Sequence, residues 1–184
     1  MSVVDYAARE VRVRFTVMGP PGAGKATVLR CVHGGAEPSL RGEFSERPIA
    51  GGQLVRFDFS PIEILPIADH RARVEFLTLS GQVAETAHGA RLLAETDVLL
   101  FIADSQPSRM DENRALLCEI AAQPSLADVP VVFLYNKRDV PDVATVAEME
   151  GLLNPLGAPA FETVANKGEG LTPALAALCA LALT

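Results

Sequence analysis

The segment Gly19-Pro20-Pro21-Gly22-Ala23-Gly24-Lys25 limits the fold of this chain more than any other. Residues 11–18 before it alternate, with Val11, Val13, Phe15 and Val17 on one face, and read as a strand. A helix is predicted from about residue 25 to 33. The spacing GxxxxGK in a strand-to-helix turn is that of a phosphate-binding loop. Its glycines let backbone N–H groups turn inward around phosphate oxygens, and the helix N-terminus adds a partial positive charge. The candidate phosphate-binding residues are Gly19, Gly22, Ala23, Gly24, Lys25, Ala26 and Thr27, with Lys25 reaching the β- and γ-phosphates. A Ser or Thr usually follows the lysine and binds Mg²⁺ through its hydroxyl. Ala26 stands there instead, and Thr27 lies about 100° further around the helix. No side chain is therefore assigned to a metal, and Mg²⁺ is expected to be held weakly or not at all.

Short β-rich runs alternate with helical stretches along the rest of the chain. Residues 34–51 are rich in Gly, Pro and Ser and read as irregular. Residues 53–59 and 73–79 read as neighbouring strands joined by the turn-like stretch 60–70. Residues 98–103 and 129–135 are continuous apolar strands, which implies burial on both faces. Helices are predicted at 109–122, 143–152 and 171–183, and a last strand at 160–165. This pattern predicts a single α/β domain over residues 1–184, with a mostly parallel sheet of about six strands flanked by helices. Ligands of such sheets sit at the carboxyl ends of the strands.

Composition narrows the function classes. The 184 residues suffice for a full core, and 49% apolar with 21% charged residues is a globular balance. A net charge of −7 without a basic cluster argues against nucleic acid and anionic lipid as partners. Cys31, Cys118 and Cys179 are scattered among apolar or small residues and are expected to be buried free thiols, as a reducing cytoplasm allows. There is no signal-peptide pattern, no apolar run of membrane length and no prenylation cysteine, so a cytoplasmic location is expected.

A second motif follows the strand at 129–135. Asn136-Lys137-Arg138-Asp139 has the NKxD form that reads guanine. The Asp139 carboxylate can accept hydrogen bonds from the guanine ring N–H and exocyclic amine, a pair that adenine does not offer. The Lys137 stem can lie over the ring, and Asn136 can brace the loop. After the last predicted strand, Val164-Ala165-Asn166 resembles the SAK loop of GTPases, which gives Ala165 the N–H that meets the guanine oxygen. Thr78-Leu79-Ser80-Gly81-Gln82 stands where GTPases usually read DxxGQ. There the Gly81 N–H senses the γ-phosphate and Gln82, with Lys25, is the candidate catalytic group. Thr78 replaces the Asp that helps hold Mg²⁺.

Taken together, these residues resemble the MglA family, the bacterial Ras-like GTPases of cell polarity and gliding motility. The resemblance is carried by Tyr6 with Arg9-Glu10, Gly19-Pro20, Phe57-Asp58-Phe59 followed by Pro61, and Thr78 with Gly81-Gln82. Ala103-Asp104-Ser105-Gln106 with Arg109-Met110, Asn136 to Asp139, and Asn154-Pro155 extend it over nearly the whole length. It implies GDP or GTP as ligand, a Roadblock/LC7-type (MglB-like) partner that stimulates hydrolysis, and a role in polarity or motility. Family members carry Thr after the loop lysine and an Arg-Thr pair before the second strand, where this chain has Ala26 and then Gln53 and Leu54. That arginine is an internal finger, and such fingers contribute about 10³–10⁵ in rate. Arg47 or Arg56 takes the part under a different placement of the loop. Losing metal ligands and charge together predicts very slow turnover. The reading preferred on sequence is a guanine-nucleotide binder with weak or absent hydrolysis, acting as a regulator or adaptor. The alternatives are a competent GTPase switch activated by its partner, or a nucleotide kinase. The kinase reading finds a loop of adenylate-kinase type with Thr27, but no arginine-rich lid and no place for Asn136 to Asp139.

Overall fold

A computed structural model describes residues 3–5, 10–49, 52–60, 71–81 and 87–182. Its strands are β1 (Val3–Asp5), β2 (Glu10–Met18), β3 (Ser45–Ile49), β4 (Gly52–Phe59), β5 (Arg71–Gly81), β6 (Val98–Asp104), β7 (Val131–Asn136) and β8 (Ala160–Glu162). They form one sheet in the order β3-β4-β5-β2-β6-β7-β8, with β1 added to β2. The run from β5 through β2, β6 and β7 to β8 is parallel. The β1-β2, β3-β4 and β4-β5 pairs are antiparallel.

The mostly parallel α/β sheet expected from the sequence is therefore present, but it has eight strands rather than about six. The additions are β1 and β3. β3 falls in the stretch read as irregular because of its Gly, Pro and Ser content. It forms because it is the outermost strand, where the missing N–H of Pro48 costs no second ladder.

The helices are α1 (Lys25–Gly35), α2 (Ala87–Ala94), α3 (Met110–Ala121), α4 (Val146–Leu153) and α5 (Leu171–Leu181). Residues 87–94 carried no expected helix. α4 starts later than expected because Thr145 caps it: its Oγ1 accepts from the Glu148 N–H at 3.2 Å, while the Glu148 carboxylate accepts from the Thr145 N–H at 2.8 Å.

Strand alternation sorts the core into two layers. Val11, Val13, Phe15 and Val17 of β2 join Val98, Leu100 and Ile102 of β6 against α1 and α5. Leu99, Phe101 and Ala103 of β6 join Phe133 and Tyr135 of β7 against α2, α3 and α4. β6 is buried at every position, as a continuous apolar strand should be when helices cover both faces.

The cysteine expectation is corrected in part. Cys179 is buried and Cys31 half-buried, but Cys118 is exposed. α3 buries only Asn113 and Ile120, and Cys118 follows Arg114 by four residues on the solvent side. No helix among the described residues is long and apolar enough to cross a membrane.

Candidate functional site

The two sequence motifs meet at the carboxyl ends of β2, β6 and β7. The loop after β2 turns through left-handed backbone, with φ of 152° at Gly19, 77° at Gly22 and 107° at Gly24. Two of these positions also lack room for a side chain. A Cβ on Gly19 would stand 2.2 Å from the Ile102 carbonyl oxygen of β6, and one on Gly24 would stand 2.4 Å from Asn136 Nδ2. The loop is thus pressed between β6 and the end of β7.

Lys25 opens α1 and folds back over the loop, where its Nζ donates to Gly19 O at 2.6 Å and Pro20 O at 2.9 Å. Burial draws its pKa down from 10.5 to about 8. A polyphosphate would stabilise its charged form.

Asn136, at the end of β7, is only 2% exposed and uses both ends of its amide. Its Nδ2 donates to Ala23 O of the phosphate loop at 2.8 Å. Its Oδ1 accepts from Ala165 N at 3.0 Å and Thr163 Oγ1 at 3.3 Å. The bracing role read from sequence thus has three named partners. The Ala165 N–H, expected at a guanine oxygen, donates here to Asn136 Oδ1. In the same turn Val164 N donates to Glu169 O at 3.2 Å and Lys167 N to Val164 O at 3.0 Å.

Lys137 has φ 66°, and its Nζ donates to Asp104 Oδ2 at 2.7 Å. Asp104 lies opposite Asn136 in the β6-β7 register. Asp139 is exposed at the rim, with Lys167 Nζ 3.9 Å from its carboxylate.

The metal side is furnished differently. Ala26 packs on the apolar layer under α1. Thr78, 2% exposed, donates its hydroxyl to Val17 O of the adjacent strand at 2.8 Å. Leu54 packs on the other apolar layer. Gln53 lies within β4, opposite Pro48 and Ser80, and its Nε2 is 3.4 Å from Glu46 Oε2. The usual Mg²⁺ donors are therefore missing or turned into the sheet, and these side chains do not fit such a site. Among the described residues, no group of three or more His, Cys, Asp or Glu could hold a metal ion.

The candidate arginines also fall elsewhere. Arg47 is exposed on the outermost strand, and Arg56 pairs with Glu75 at 3.5 Å. The arginine that touches the phosphate loop is Arg109, whose Nη2 donates to Pro21 O at 2.5 Å. Sequence reading gave Arg109 no role in the site. Its signal was position, five residues after a strand that ends on Asp104. β5 continues to Gly81, which pairs with Gly52, two residues past the expected end. Gln82, Tyr6 and Pro61 lie outside the described residues.

Comparison with known proteins adds sequence relatives to this geometry. Residues 67–181 match the ADP-ribosylation factor family. The whole chain is 32% identical to the mutual gliding-motility protein MglA of Myxococcus xanthus (strain DK1622) and covers 97% of it. Over 76% of the chain it is 21% identical to ADP-ribosylation factor-like protein 13B of Chlamydomonas reinhardtii, a match to 24% of that longer protein.

Proposed function

The chain belongs to the MglA-type small Ras-like GTPases of the ADP-ribosylation factor family, and from that premise we propose that it binds GDP or GTP with little dependence on Mg²⁺ and hydrolyses GTP very slowly. The observation that supports this best is the Asn136 amide. It fastens the phosphate loop to the base loop from within the protein.

In this reading the phosphates lie on the loop N–H groups from Gly22 to Ala26, and Lys25 exchanges the Gly19 and Pro20 carbonyls for phosphate oxygens. Asp139 accepts from the guanine ring N–H and amine, and the Lys137 stem covers the ring. On the last loop the Ala165 N–H turns from Asn136 Oδ1 to the guanine oxygen, with Val164 and Asn166 on either side. Gly81 senses the γ-phosphate and Gln82 orients water beside Lys25, but Ala26, Leu54, Thr78 and Gln53 do not supply the Mg²⁺ and arginine charge that usually neutralises transfer. The biological output is a nucleotide-dependent surface, presented in the cytoplasm to a Roadblock/LC7-type, MglB-like partner in polarity or motility. A partner that supplied the missing charge would make the same chain a working switch.

Mass spectrometry of the nucleotide that co-purifies with the protein, followed by GTP turnover with Mg²⁺ and with EDTA, tests the proposal. GDP or GTP in the purified protein, bound equally in EDTA and turned over hardly at all, is the expected result. An empty protein that takes up neither nucleotide, or rapid turnover with a steep Mg²⁺ requirement, refutes it.

A further inference from the structure

Asp104 and Arg109 belong to neither nucleotide motif, yet they stand between them. β6 ends on Asp104, whose side chain is 1% exposed. Two contacts fix it there. Gln106 N donates to Asp104 Oδ1 at 3.1 Å, which closes a tight turn. The Asn113 side chain of α3 donates to Asp104 O at 2.9 Å and accepts from Asp104 N at 3.1 Å. The turn leads into a 3-10 segment, Pro107–Arg109, and aims Arg109 back at the phosphate loop.

The Arg109 Nη2 donates to Pro21 O at 2.5 Å, its Nε stands 3.8 Å from Asp104 Oδ2, and its Nη1 pairs with Glu112. The same Asp104 oxygen accepts from Lys137 Nζ at 2.7 Å. One buried carboxylate therefore serves two cations. Arg109 holds the phosphate loop, and Lys137 belongs to the base loop.

We propose that Arg109, Asp104 and Lys137 form a clasp that sets the separation of the phosphate and base loops, with Arg109 as a positioning residue for nucleotide binding. The proposal rests on the guanine-nucleotide reading above. The physical reason lies in the direction of the Pro21 carbonyl. Loop N–H groups can face an anion only if the loop's carbonyl oxygens face away from it. The guanidinium holds the Pro21 oxygen outward, and a charged donor does this about twice as strongly as a neutral one. Asp104 and Glu112 together balance the guanidinium and the Lys137 ammonium, so the two cations can stand side by side at the edge of the site.

The test measures GDP and inosine diphosphate affinity for the wild-type chain and for Arg109→Ala and Arg109→Lys. Inosine lacks the exocyclic amine that Asp139 would read, so the ratio of the two affinities reports on the base loop alone. Arg109→Ala is expected to weaken both nucleotides by about tenfold to a hundredfold, with their ratio and the melting temperature of the empty protein unchanged. Arg109→Lys keeps a cationic donor and should recover most of the loss. Unchanged affinity in Arg109→Ala overturns the clasp. So does a collapsed ratio with a lower melting temperature that lysine fails to repair, because that is general loosening. A wild-type chain that binds neither nucleotide removes the reading on which the clasp rests. That outcome is distinct, since it appears before any substitution is made.

Discussion

The base side and the metal side of the site both sit on strand ends of one sheet, yet they use polar groups in opposite ways. On the base side, buried polar atoms reach between segments. Asn136 joins the phosphate loop to the loop after β8, and Asp104 meets Lys137 across the strand ends. On the metal side the comparable positions face inward or carry no polar atom: Thr78 donates to Val17 O, Ala26 and Leu54 pack on apolar layers, and Gln53 sits in the strand ladder. A buried polar group left without a partner costs about 1–3 kcal/mol. The sheet meets that demand by itself at Thr78, while the base side meets it by tying loops together. In the proposed reading, binding and hydrolysis share Lys25 but otherwise draw on largely separate residues, so hydrolysis can be lost while binding is kept.

The largest test of this contrast removes the cation of the binding side. Lys25→Ala is expected to weaken GDP by at least about a hundredfold in a titration, since it removes a charge-assisted contact to phosphate from a buried site. Affinity close to wild type would mean that the loop does not hold the phosphates.

Asn136→Ala comes next, and it should strike fold and ligand together. It strands the Ala23 carbonyl and the Ala165 N–H, a loss of about 2–4 kcal/mol. Thermal melting should fall by roughly 5–15 °C. A shift below a degree or two would show that water replaces the amide.

The next effect is one of pH. The Lys25 pKa of about 8 lies below its ordinary 10.5, so the empty protein gains stability as pH rises from about 8 to 10.5 and loses it again as pH falls through 8. Nucleotide binding runs the opposite way, because phosphate favours the ammonium. GDP affinity should hold below pH 8 and then fall by up to about tenfold per pH unit above it. Calorimetry in buffers of different ionisation enthalpy, at pH 8 and above, should detect proton uptake on binding. Flat affinity to pH 9.5 would contradict the buried ammonium.

The smallest effect sharpens the contrast from the metal side. Ala26→Thr restores one hydroxyl of several, so Mg²⁺ should tighten GDP binding by only a few-fold over EDTA. A gain of a hundredfold would show that the metal side is nearly complete without it.

The parts of the molecule that were legible in the sequence are those whose physics is local. The glycine spacing before Lys25 encodes a left-handed turn, and unbroken apolar runs encode β6 and β7. Long-range features left little local trace. β3 owes its form to β4 alongside, so its Gly, Pro and Ser setting pointed to a loop. In the sequence Thr78 marks only a missing Asp, and the bond from its hydroxyl to Val17 O depends on the neighbouring strand. Arg109 reads as an ordinary helix-start residue until α3 is placed next to the phosphate loop. The loop order marks Ala165, but its bond to Asn136 Oδ1 depends on β7 and β8 lying side by side.

The amide that fastens Ala23 comes from a residue 113 positions later in the chain, and its other end is satisfied by residues still further on. The site is thus among the most non-local features of the fold. Contacts of such high order form late, because their loop-closure entropy must be met first. A chain emerging from the ribosome displays its phosphate-loop sequence early, yet that loop gains its brace only after β7 and β8 have docked. The fully braced phosphate loop is therefore a property of the completed sheet rather than of the segment that carries the motif.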